Sequence, residues 1–62
     1  MMTEITHNEN GTSYRAEYEV FEETLVVYLP DGSTRETILR GLNPSTAAMH
    51  HLRAYAQGQK SS

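Results

Sequence analysis

The sequence predicts an α+β domain: a three-stranded antiparallel β-meander followed by one C-terminal α-helix packed on one sheet face. Three observations carry this. Tyr14, Ala16, Tyr18 and Val20 alternate with polar residues between Ser13 and Phe21, the period-2 signature of a half-buried strand. The stretch from Leu25 to Leu39 holds two β-rich runs separated by Pro30-Asp31-Gly32. Asn43-Pro44 opens a segment with helical apolar spacing that runs to Gly58.

Residues 1–11 are polar, with Ile5 as an isolated apolar residue between the initial methionines and Tyr14. They read as a flexible N-terminal arm; the alternative is a short extra strand through Thr3 to His7 at the sheet edge. The domain proper is expected over 12–58, with a polar tail at 59–62.

The first strand then spans Ser13 to Phe21. A competing helical spacing links Tyr14, Tyr18, Phe21, Leu25 and Tyr28. Such a helix would have to run through the β-branched pair Val26-Val27 up to Pro30, so the strand is preferred. Glu22-Glu23 must connect the first two strands. Neither residue favours a positive φ, so a type I turn within a four-residue loop is expected there. The next turn is written more plainly. Pro30 presets φ for the first central position of a type I turn, Asp31 suits the second, and Gly32 supplies a left-handed residue that lets the strands rejoin with a bulge.

If Leu29 faces Ser33 across that turn, Val27 opposes Arg35 and Leu25 opposes Thr37. Any even-length first loop preserves which side chains share a face, and carrying the first hairpin through sets Val20 against Leu25, Tyr18 against Val27 and Ala16 against Leu29. One face then collects Tyr14, Ala16, Tyr18, Val20, Leu25, Val27, Leu29 and Leu39, and the agreement of two hairpins on one face supports the meander. Gly41 lies where the chain turns into the helix. Asn43 caps it, Pro44 takes the first helical position, Leu42 staples against Ala47, and Gly58 closes it as a left-handed cap. Ala48, Met49, Leu52, Tyr55 and Ala56 form the stripe that covers the sheet.

The opposite sheet face carries Phe21, Val26, Tyr28 and Ile38, rimmed by Arg15, Glu17, Glu19, Thr34 and Glu36. One helix cannot cover both faces. An apolar cluster inside a charged rim is the anatomy of an interaction surface, and these four residues are the candidate interaction face.

Composition narrows the alternatives. The chain has 62 residues, no cysteine and a formal net charge of −3. A core of this size is marginal alone, and disulfides and thiolate metal sites are excluded, which leaves oligomerisation as the supplement and a homodimer as its simplest form. His50 and His51 are neighbours about 100° apart on a helix and cannot share a tetrahedral metal. His7 falls in the arm. The glutamates point outward and serve cross-strand pairing with Arg15 and Arg35. Ser13, Ser33 and Ser45 sit at turn or cap positions, where hydroxyls serve the backbone. No nucleophile, phosphate loop or cofactor motif emerges, so neither enzyme activity nor a cofactor is expected.

The expected role is that of a small non-enzymatic protein-interaction module, self-associating through its open sheet face or an edge strand and open to a further protein partner. The alternative is a nucleic-acid-binding accessory protein using Arg35, Arg40 and Arg53. The acidic balance opposes it, and no stacking motif of adjacent aromatic and basic residues accompanies the three arginines. The N-terminus lacks the basic start and apolar centre of a signal peptide, and no run approaches a membrane span, so a cytoplasmic location without membrane association is expected.

Overall fold

A computed structural model describes residues 2–59. Its elements are β1 (Thr3–Glu9), β2 (Thr12–Phe21), β3 (Thr24–Tyr28), β4 (Thr34–Ile38) and α1 (Pro44–Gln59). The four strands form one antiparallel sheet in the order β1-β2-β3-β4, with α1 on one face. The α+β class and C-terminal helix are as expected, but the sheet has four strands rather than three.

The extra strand lies in the segment expected to be a flexible arm. β1 pairs with β2 from Thr3↔Tyr18 to Glu9↔Thr12, leaving Asn10-Gly11 as a two-residue loop. Asn10 and Gly11 have φ of 51° and 83°, the two positive values that a type I′ turn requires and that Asn-Gly accommodates best. Sheet pairing and the helix order this polar strand. Ile5 lies opposite Ala16, and α1 packs more extensively on β1 than on any other strand.

The other turns divide. Phe21 pairs with Thr24, so Glu22-Glu23 is a two-residue loop and not the longer one expected. The ladder accepts Glu22 at φ 59°, a left-handed position that costs a non-glycine residue about 1–2 kcal/mol. The Pro30 turn forms as its chemistry dictates. Gly32 N–H donates to the Leu29 carbonyl at 3.0 Å, Leu29 N–H donates to that of Ser33 at 2.8 Å, and Gly32 takes φ 90°. Asp31 Oδ1 accepts from both Ser33 N–H at 2.9 Å and Ser33 Oγ at 2.6 Å. These bonds favour the carboxylate and hold its pKa below the ordinary 3.8.

The β2–β3 and β3–β4 registers are those the turns imply, including Val20↔Leu25, Tyr18↔Val27, Leu25↔Thr37 and Val27↔Arg35. The buried cluster joins Ile5, Ala16, Leu25, Val27, Leu29 and Leu39 to Ala48 and Leu52 of the helix. Tyr14 packs edge-on against Tyr55, with ring centroids 6.0 Å apart. Val20 shares the parity of this face but stays 40% exposed.

Arg40-Gly41 makes a second I′-type turn, with φ of 50° and 87° and Leu42 N–H donating to the Leu39 carbonyl at 2.9 Å. Asn43 caps α1: its Oδ1 accepts from Thr46 N–H at 3.2 Å. Leu42 remains 61% exposed, so a staple against Ala47 leaves most of it uncovered. Gly58 is not the left-handed cap expected. It is helical, and α1 continues to Gln59. Of the tail expected over 59–62, residues 60–62 lie outside the described residues.

Candidate functional site

The register sets the open face in rows across the strands. Phe21, Thr24 and Ile38 form one row, and Glu19, Val26 and Glu36 the next. Glu4, Glu17, Tyr28 and Thr34 form the third. The four candidate residues therefore share one face, as the turn parity requires.

Their environments differ. Phe21 is 73% exposed and Ile38 53%, whereas Val26 and Tyr28 are half-buried among their neighbours. Phe21 and Ile38 flank Thr24, whose short side chain leaves both standing above the sheet. Val26 continues the apolar surface between two glutamates.

Tyr28 is engaged already. Its hydroxyl donates to Glu19 Oε2 at 2.6 Å. That bond to the neutral phenol, then desolvation and the negative charges of Glu19 and Glu36, raises its pKa above the ordinary 10.0. Arg15 Nε lies 3.4 Å from Glu4 Oε2, a solvent-exposed cross-strand pair of small energetic weight. The open face thus has an apolar end at Phe21, Ile38 and Val26, and an acidic middle.

Exposed apolar side chains gather at that end. Val20, Phe21, Ile38 and Leu42 are four of the five large hydrophobic residues exposed among the described residues. All lie within four residues of the points where β2 and β4 finish.

The sequence did not show a second feature, a groove on the helix side of β4. Because α1 lies over β1, β2 and β3, it barely reaches the fourth strand. The remaining groove holds about 430 Å³ and is lined by Thr37, Leu42, Thr46, Ala47, His50 and His51, with Asn43 at its end. The helical stripe identifies which side of α1 faces the sheet. How far across the sheet the helix sits depends on β1.

His51 Nε2 and Thr37 Oγ1 are 2.6 Å apart, bridging α1 and β4. Burial, followed by the nearby charges of His50 and Arg35, holds the His51 pKa below the ordinary 6.5. His50 is exposed. The groove lining around this hydroxyl–imidazole pair includes no carboxylate. His7 is in β1, with Nε2 2.9 Å from Glu9 Oε1.

Among the described residues, no three or more histidine, aspartate or glutamate side chains gather in a way that could hold a metal. Arg35 lies on the helix side of β4, Arg40 in the turn beyond it, and Arg53 on the helix shoulder beside His50 and Met49. No described helix is long and apolar enough to cross a membrane. In comparisons with known proteins, no family model, curated protein or solved structure matches the chain.

Proposed function

We propose that the protein is a non-enzymatic interaction module of the cytoplasm that forms a homodimer through its open sheet face. Phe21 and Ile38 anchor the contact, and Val26 and Tyr28 extend it. The observation that carries this reading is the exposure of Phe21 at 73% and Ile38 at 53% on either side of Thr24. A large apolar pair on a rigid sheet, rimmed by charge, supports a partner-covered surface.

Magnitudes set the strength expected. Covering a large apolar side chain is worth about 1.5–3 kcal/mol. With Phe21, Ile38, Val26 and Tyr28 part-covered in each copy, a two-fold contact gains roughly 12 kcal/mol at the low end of that range, from which an association cost of at least about 4 kcal/mol is subtracted. A micromolar dimer needs about 8 kcal/mol, after the cost of association. The dimer is therefore weak and concentration-dependent. Glu19 and Glu36 approach their counterparts across a stacked contact, so screening by added salt strengthens it. Nucleic-acid binding has the opposite salt dependence.

Sedimentation equilibrium tests this over a range of protein concentrations at low and high salt. A reversible increase in mass is expected, greater in high salt and absent in Phe21→Glu and Val26→Glu. An unchanged mass distribution in both variants would overturn the assignment to this face.

A further inference from the structure

The outer edge of β4 and the groove beside it form a second surface, separate from the open face. We propose that this surface binds an extended peptide segment of a partner protein by strand addition. The segment carries an apolar side chain two positions from a carboxylate.

The backbone provides the edge. Leu29 N–H donates to the Ser33 carbonyl and Leu39 N–H to that of Glu23, so residues 33, 35, 37 and 39 direct their amides and carbonyls toward β3. By alternation, the N–H and C=O groups of Thr34, Glu36 and Ile38 face away from the sheet; the Thr34 carbonyl accepts from Arg35 Nη1 at 3.0 Å, and the other groups of the row are those an added strand would meet. β4 ends the strand order, so this row is the template an added strand would use.

The side-chain period provides the specificity. Every second residue of an added strand lies on the helix side. There it meets the groove between β4 and α1, because the helix packs mainly on β1 to β3 and touches β4 through the Thr37–His51 hydrogen bond. Beside Thr37 the groove offers Leu42, Ala47 and the methyl group of Thr46, a surface for an apolar side chain. Two residues earlier, Arg35 stands exposed on the same face. His50 and Arg53 occupy the helix shoulder that continues the groove, and neither lining set contains a carboxylate. A carboxylate beside Arg35 and an apolar side chain over Thr37 match this arrangement in charge and polarity.

A second copy's β4 does not fit as well. Its helix-side residues, Arg35 and Thr37, bring no apolar side chain to the groove. A two-fold pairing centred on Glu36 would also set two glutamates opposite each other.

The test uses the whole protein and a fluorescent nine-residue peptide with leucine at its centre. Glutamates lie two positions to either side, so that either strand direction places one near Arg35, and threonine fills the other positions. Saturable binding is expected by anisotropy, equally for wild type and the face variant Phe21→Glu. The largest amide shifts should fall on Thr34, Glu36 and Ile38 and on Thr46 to His51.

Replacing the peptide's glutamates with lysine, or its leucine with asparagine, should weaken binding at least tenfold. Leu42→Glu should do the same with an unchanged circular dichroism spectrum, since Leu42 is 61% exposed. Arg35→Glu, also at an exposed position, gives an independent check. Three results would overturn the proposal: no saturation at millimolar peptide, equal binding of the lysine peptide, or shifts centred on Phe21 and Val26. The last would assign the peptide to the open face, and loss of self-association in Phe21→Glu leaves this test intact.

Discussion

Ile5→Ala tests whether β1 is integral to the domain. Ile5 is 9% exposed, lies opposite Ala16 in the ladder and belongs to the buried cluster beneath α1. Truncating a buried isoleucine costs about 2–5 kcal/mol, depending on how far the surroundings close over the cavity. β1 is an outer strand free to shift inward, so a loss of about 2–3 kcal/mol is expected. A domain of this length has a total stability of roughly 3–9 kcal/mol, so the variant loses a large share of it. With a urea m-value of about 1 kcal/mol/M, the midpoint falls by roughly 2 M or more. Urea unfolding followed by circular dichroism measures this. Both proteins should carry Phe21→Glu and be compared at one concentration, because self-association would otherwise add stability to the folded state. Thr6→Ala, exposed on the other side of the same strand, should stay within about 0.5 kcal/mol of the parent. If Ile5→Ala does the same at an unchanged m-value, β1 is not part of the cooperative unit and the four-stranded sheet is refuted.

Other perturbations test the turns and the groove. Gly11→Ala should cost about 1 kcal/mol from backbone conformation alone, because φ is 83° and a Cβ there would meet nothing within 4 Å. Glu22→Gly should instead stabilise by about 0.5–1 kcal/mol, as relief of the left-handed strain outweighs the added freedom of the unfolded chain. Destabilisation by Glu22→Gly in thermal or urea unfolding would show that Glu22 does not hold φ 59°. His51 should titrate below 6.5 by proton NMR. Since its folded pKa is depressed, the unfolded chain binds the proton more readily. Its contribution is therefore complete above about pH 6.5 and is lost as the pH falls from there through the folded pKa. His51→Gln should flatten the stability slope in that window, and an unchanged slope would remove His51 as its source.

The open face and the groove place different demands on a sequence reader. Phe21, Val26, Tyr28 and Ile38 could be assigned to one face because strand parity follows from the turns. Their unequal exposure could not. The engagement of Tyr28 by Glu19 depends on side-chain reach across a strand pair, and the prominence of Phe21 and Ile38 depends on the small residue between them. His51 and Thr37 are 14 positions apart and meet only because α1 folds back over the sheet. No spacing rule in the sequence joins them.

By itself the sequence determined what its nearest neighbours could enforce. Pro30-Asp31-Gly32 wrote a turn and bulge through intrinsic φ preferences, and Asn43-Pro44 began a helix because the cap accepts an amide that would otherwise lack a partner. The apolar alternation of β2 and β3 and the stripe from Ala48 to Ala56 reflect the burial of one side of each element. Asn10-Gly11 was an equally local hairpin signal, masked by the polar strand before it. The tertiary structure decided the rest. β1 contains one buried side chain, Ile5, and owes its order to the backbone of β2 and the cover of α1. Ladder register, not residue preference, placed Glu22 at positive φ. The lateral position of α1 over β1 opened the groove at β4, because a helix packed toward one edge of a four-stranded sheet leaves the other uncovered.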